Sequence, residues 1–101
     1  MSTASDFETE RSRRLTAIFG ALSDATRLEM FRMIVEDGEV GCSQFDAHFP
    51  ISKSTISYHT KILNAAGLIE TRRAGRFFFY RPRVDEISEQ FPALLAQLRG
   101  D

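Results

Sequence analysis

Apolar residues recur every three or four positions through most of this chain and give way to alternation only between Leu68 and Arg81. The first spacing is that of helices with one buried face, the second that of strands. At the start, Asp6 can cap a helix from about Phe7 to Gly20. Phe7, Leu15, Ile18, Phe19 and Leu22 are its apolar residues, with Arg11, Arg13 and Arg14 outside. The stretch Glu8 to Arg14 is polar, so the first two turns need support from another element, which a second chain in a dimer could supply. Ala21, Leu22 and Ser23 read as a joint. Asp24 caps a second helix over Ala25 to Glu36, buried through Leu28, Phe31, Met33, Ile34 and Val35 and stopped at Gly38. Glu39 to Cys42 reads as a short extended piece. Ser43 then caps a third helix, with Asp46 three residues on in a partial capping box, and Pro50 stops it.

The stretch Ile51 to Gly67, ISKSTISYHTKILNAAG, carries start and stop signals at both ends. Ser52 suits the N-cap, Ile51 and Ile56 stand where a hydrophobic staple forms, and Gly67 suits the left-handed position beyond the last turn. Ile56, His59, Ile62, Leu63 and Ala66 share an inward face, and Lys53, Ser54, Ser57, Tyr58 and Lys61 lie on the other. Two readings of that second face stand side by side. It is an ordinary amphipathic surface, or it enters a DNA major groove, where short polar side chains meet base edges and cations meet phosphates.

After Gly67 the period becomes two. Leu68 to Arg72 reads as one strand and Phe77 to Arg81 as its partner, with the turn at Arg73-Ala74-Gly75-Arg76, where Gly75 is free to take positive φ. Two short helices joined at Phe49 to Ser52 read as a helix-turn-helix, and a hairpin tipped with Arg72, Arg73 and Arg76 behind it reads as a wing that can reach a minor groove. The duller alternative is a solvated turn. From Val84 the spacing is helical again through Ile87, Phe91, Leu94, Leu95 and Leu98, with a break or fresh start expected at Pro92. That stripe, 84–99, together with the first helix, 7–20, is a candidate dimer interface; packing within one chain is the alternative.

Composition changes the picture in three ways. A chain of 101 residues with 43% hydrophobic content makes a single domain, 1–101, with residues 1–5 expected to fray. Nine Phe and no Trp point to a Phe-rich core. No apolar run is long enough to span a bilayer, the N-terminus lacks the apolar segment of a secretory signal, and one Cys can form no internal disulfide; a cytoplasmic location is expected. The net charge of −1 conceals a division: from Lys53 to Arg83 seven bases face one acid, Glu70, while the remainder holds six bases and thirteen acids. A basic segment on an acidic protein is the footprint of a polyanion partner, or a solvated face with acids placed opposite it in the fold.

With these residues in view, the sequence resembles the ArsR/SmtB family of winged-helix transcriptional regulators, over about Leu15 to Pro82. The carrying stretches are ALSDATRLEMFRMI, which looks like the family's second-helix opening with Ala25 where proline is frequent, and ISKSTISYHTKILNAAGLIETRRAGRFFFYRP, which looks like its recognition helix, strand and wing. The resemblance implies a mainly α (α+β) winged helix-turn-helix of five or six helices plus a two-stranded β-hairpin wing. It implies a homodimer on a roughly palindromic double-stranded operator, usually repressing it, with recognition helices about 34 Å apart. By residue, it implies DNA-facing roles for Ser54, Thr55, Ser57, Tyr58, His59 and Lys61, with Lys53 meeting phosphate near the helix start. His59 also falls on the inward face, so a hydrogen-bonded structural role stands beside a DNA contact. The Cys-x-Cys of metal-sensing members falls on Gly41 and Ser43, and no His follows His59, so neither a metal site nor any cofactor is expected. Cys42 is left as a lone thiol, a small buried residue or a redox-reactive one.

A DNA-binding repressor without a metal sensor therefore stands first. A winged-helix module docking a protein through the same surface stands second, since fold alone does not fix function. An enzyme is not expected, because no paired carboxylates, nucleophile–base set or phosphate-cradling Gly loop can be picked out.

Overall fold

The computed structural model describes residues 9–99. Within them run α1 (Glu10–Leu22), α2 (Ala25–Asp37), β1 (Val40–Gly41), α3 (Cys42–His48), α4 (Lys53–Ala65), β2 (Ile69–Ala74), β3 (Phe77–Pro82), α5 (Val84–Gln90) and α6 (Pro92–Arg99). The expected winged helix-turn-helix is present, with α3 and α4 as its two helices and β2–β3 as the wing.

The boundaries of α1 differ from expectation. Asp6 and Phe7 lie outside the described residues, and α1 starts behind Thr9, whose hydroxyl accepts the Ser12 N–H at 3.2 Å. It runs on through Ala21 and Leu22, because Ala21 is buried in the core and its carbonyl takes the Arg27 Nε donor at 2.7 Å. The joint thus shrinks to Ser23 and Asp24. Asp24 caps α2 as expected: its carboxylate accepts the Arg27 N–H at 3.0 Å, and that bond holds the carboxyl below the usual Asp value. Gly38, at φ 80°, closes α2. Leu28, expected inside, is exposed, and Met30 is buried in its place beside Phe31, Ile34 and Val35.

The extended piece proves to be a third strand. Val40 pairs with Tyr80 and Gly41 with Phe79, antiparallel, so the sheet runs β1-β3-β2 rather than as a two-stranded hairpin. This pairing also moves the start of α3. Gly41 is held extended by β3 and becomes the N-cap, while Gln44 Oε1 accepts the Gly41 N–H at 2.8 Å. Ser43 therefore lies inside the first turn instead of capping it, and Asp46 faces Lys53 at 3.7 Å instead of completing a box.

Both ends of α4 are as the sequence predicts. Ser52 Oγ accepts the Thr55 N–H at 3.1 Å. At the other end Gly67, φ 78°, donates to Asn64 O at 3.0 Å while Leu68 donates to Leu63 O at 3.1 Å, the paired closing bonds of a Schellman motif. Leu68 O in turn accepts the Arg83 N–H at 3.0 Å, tying the end of the hairpin back to its start. The hairpin pairs Ile69 with Pro82 through Ala74 with Phe77, leaving a two-residue loop, Gly75–Arg76, with Gly75 at φ 63°.

The core is less Phe-rich than composition suggests. Phe31 and Phe45 are fully buried, but Phe19, Phe77 and Phe78 are exposed, and aliphatic side chains such as Ile34, Val40, Leu63, Leu68 and Ile69 fill the centre. Pro92 opens α6, as its missing N–H permits at a first helical position. Of the C-terminal stripe, Ile87 and Leu98 bury within the chain's own core, Phe91 meets the ring of Phe19 edge-on at 5.6 Å, and Val84 is exposed. The side chains of Leu94 and Leu95 lie outside the described ones.

Candidate nucleic-acid interface

The inner face of α4 is Ile56, His59, Thr60 and Leu63, all buried. Its outer face repeats the same spacing with Ser54, Ser57, Tyr58 and Lys61, all exposed. Tyr58 leaves 58% of its surface open to solvent, a large ring standing out from a helix whose neighbours are small.

Two candidate residues on α4 are occupied by structural contacts. Thr55 is half-buried, and its hydroxyl lies 2.9 Å from Ser52 Oγ in the cap. His59 is 9% exposed, with Nδ1 3.2 Å from Arg27 Nη1. A guanidinium can only donate, so Nδ1 accepts and a neutral imidazole carries its proton on Nε2. Arg27 joins the α1 carboxyl end, the α2 cap region and α4 through these bonds, so His59 sits where it fixes how the recognition helix docks on the body. Thr60 is a buried residue that periodicity alone misses; its hydroxyl donates to Ser57 O at 3.0 Å.

The basic segment is largely compensated. Glu39 lies 3.3 Å from Arg72 and 3.8 Å from Arg81, Glu86 is 3.5 Å from Arg83, and Asp46 approaches Lys53. Arg72 also covers the Phe79 ring at 4.7 Å. Arg73 donates Nε to Gly75 O at 2.9 Å and leans over Phe78, with no carboxylate beside it. The expected tip of three arginines thus resolves into Arg76 at the loop, Arg73 laid along the strand, and Arg72 turned to Glu39. Among the described residues, Lys61 and Arg76 have neither ion pair nor hydrogen bond.

These groups share one surface. A cleft of about 370 Å³ between α3, α4 and the wing is lined by Lys53, Ser57, Arg76, Phe77, Phe78 and Tyr80 among others. A second, of about 290 Å³, continues between α4 and the wing past Ser57, Lys61, Asn64, Thr71 and Phe78. Ser57, Phe78 and Tyr80 border both, so the two clefts adjoin between α4 and the wing, with Lys53, Arg76 and Asp46 lining the first and Lys61 the second. Cys42 is half-buried at the start of α3 and lines the first cleft. Among the described residues no three His, Cys, Asp or Glu side chains gather as a ligand group for a metal, and no helix is long and apolar enough to cross a membrane.

A helix pair, a two-stranded wing and adjoining clefts lined by Lys53, Lys61 and Arg76 between them define a winged helix-turn-helix of the DNA-binding type. The sequence profile of a helix-turn-helix domain family matches residues 22–72. The chain is 38% identical to the HTH-type transcriptional regulator YceK of Bacillus subtilis over 82 residues, covering 80% of this chain and 82% of that one. It is 30% identical to the arsenical resistance operon repressor of Bacillus subtilis, covering 80% and 77% of the two chains. Among solved structures, a homodimeric winged helix-turn-helix DNA-binding domain of Mycobacterium bovis superposes with a TM-score of 0.72 at 24% identity, over 100% of this chain and 91% of that one. The protein belongs to the ArsR family of helix-turn-helix transcriptional regulators, and it is a DNA-binding regulator of that type.

Proposed function

We propose that two copies of this chain pair through α1 and the α5–α6 region and repress transcription from a palindromic operator in the cytoplasm. Each copy lays α4 in a major groove and its wing against the adjoining minor groove. Ser54, Ser57 and Tyr58 face base edges, Lys61 meets a base or phosphate, Lys53 meets phosphate at the helix start, and Arg73 and Arg76 approach from the wing. Thr55 and His59 act from behind, holding the helix in place. The observation that carries this reading is the pair of cations unpartnered among the described residues, Lys61 and Arg76, lining adjoining clefts beside an exposed polar helix face. The protein-docking alternative gives no reason for that pair to be left uncompensated while Lys53, Arg72, Arg81 and Arg83 have carboxylates beside them.

The test is an anisotropy titration of a duplex from the protein's own promoter region against a scrambled duplex, at several salt concentrations. Affinity in the range of about 1–10 nM for the promoter, much weaker on the scrambled duplex and falling steeply with salt, is expected. Equal binding to both duplexes would refute sequence-specific regulation.

Dimerisation has its own check. Phe19 is 58% exposed and touches Phe91, so it places an aromatic ring on the surface formed by α1 and the C-terminal helices. Phe19→Glu is expected to leave the fold intact, to give single subunits in sedimentation at micromolar concentration, and to weaken operator binding on the order of 100-fold by removing the second contact. A variant still dimeric at low micromolar concentration would place the interface elsewhere.

A further inference from the structure

We infer that Glu39 is a specificity-determining residue, an acid that occupies two wing arginines and so limits binding to DNA of the wrong sequence. The inference rests on the DNA-facing role of the wing proposed above. Its geometry follows from the third strand. Gly38, at φ 80°, turns the chain out of α2, and the pairing of Val40 with Tyr80 and Gly41 with Phe79 then fixes Glu39 beside the far end of β3. Gly41, Phe79 and Arg72 form one row across the sheet, because Phe79 pairs with both of its neighbours. A Cβ at Gly41 would stand only 3.1 Å from the Phe79 ring. The missing side chain lets that ring lie over the strand, and Arg72 lies over the ring in turn. Arg81, two residues from Phe79 on the same face, completes the group. Glu39 meets Arg72 through both carboxylate oxygens, at 3.3 and 3.4 Å, and Arg81 at 3.8 Å.

Free arginines on a wing bind phosphate without regard to sequence, because the backbone is the same everywhere. A carboxylate held on them by the fold removes that contribution from every duplex alike. The sequence-dependent contacts of α4 then make up a larger share of the total. Lys61 and Arg76 lie outside the reach of Glu39 and remain available. The same acid also orients Arg72 over Phe79, so neutralising it frees the side chain while the strand pairing that holds the wing is retained.

The test compares Glu39→Gln with Glu70→Gln. Both change the net charge equally, but Glu70, though opposite Arg81 in the hairpin register, has no ion pair to release among the described residues. Binding of a scrambled duplex is measured at about 50 and 200 mM salt, with thermal melting as a check on folding. For Glu39→Gln the loss of affinity between the two salts is expected to grow about 3.5-fold for each arginine that gains a phosphate, and promoter selectivity to fall. Adding Arg72→Gln to Glu39→Gln should remove the part of the gain that Arg72 supplies, about 3.5-fold, and leave that of Arg81, whereas Arg72→Gln alone should leave the salt dependence near that of the unaltered protein. Equal shifts for Glu39→Gln and Glu70→Gln, or an unchanged or shallower salt dependence for Glu39→Gln, would overturn the inference. Promoter selectivity of the unaltered protein is read from the same titrations and decides the operator proposal separately.

Discussion

Phe45→Ala is expected to destabilise the domain by about 3–5 kcal/mol, the cost of removing a buried aromatic ring and leaving a cavity. Phe45 is fully buried and is the buried side chain of the short helix α3. Its ring stacks on Tyr80 at 5.7 Å and lies 6.0 Å from Phe49. It therefore joins the first helix of the helix-turn-helix to the central strand of the sheet, and its loss frees the two from each other. In a domain of this size each kcal/mol lowers Tm by roughly 4–8 °C, so a fall of at least about 12 °C is expected by circular dichroism. Phe45→Leu, which keeps most of the volume, should cost less than about 1.5 kcal/mol. A loss below about 1 kcal/mol for the alanine variant would mean that α3 does not rest on the wing as described.

The second large effect is on binding. Lys61→Ala combined with Arg76→Ala should leave Tm nearly unchanged, since neither side chain has an ion-pair or hydrogen-bond partner among the described residues. Operator affinity should fall on the order of 100-fold, and the slope of log K against log salt should shrink by roughly 1 for each cation lost per copy. Arg76 alone should weaken all duplexes alike if it meets only backbone. Lys61 alone should also relax preference at one base pair if it reaches a base edge. Arg72→Ala is the control, because its charge is already held by Glu39. A double variant that binds as tightly as the unaltered protein, with the same salt dependence, would remove these two cations from the interface.

What was legible in the sequence was local. Ser52, Asp24, Gly38 and Gly67 are read correctly because a cap needs only its own turn of helix, and Gly75 because a tight hairpin needs positive φ at one place. What escaped was decided by partners far along the chain. Val40–Gly41 is too short to show a period, and its pairing with β3 is seen only once the fold is closed. That pairing sets Gly41 as the cap of α3, so Ser43, a good capping residue by type, falls two positions too deep, inside the first turn. Glu39 and Arg72 are 33 positions apart in the chain, so net charge over a segment left acids opposite the basic face as one of two readings and could not name Glu39 as the acid. Thr60 is buried although polar, because Ser57 O accepts its hydroxyl. The outer face of α4 was legible for the opposite reason: Ser54, Ser57, Tyr58 and Lys61 share a helical register that needs no help from the rest of the chain.

The Schellman closure at Gly67 bears on which half-sites the protein can accept. Three residues, all in fixed hydrogen bonds or buried, join the last turn of α4 to the first paired residue of the hairpin. On the proposed mode of binding, the reading head and its outrigger are thus cast in one piece, with no tether to lengthen. The base pairs sampled by each must keep a constant phase along the duplex, and a single base pair inserted between them would carry one contact about a tenth of a turn out of step.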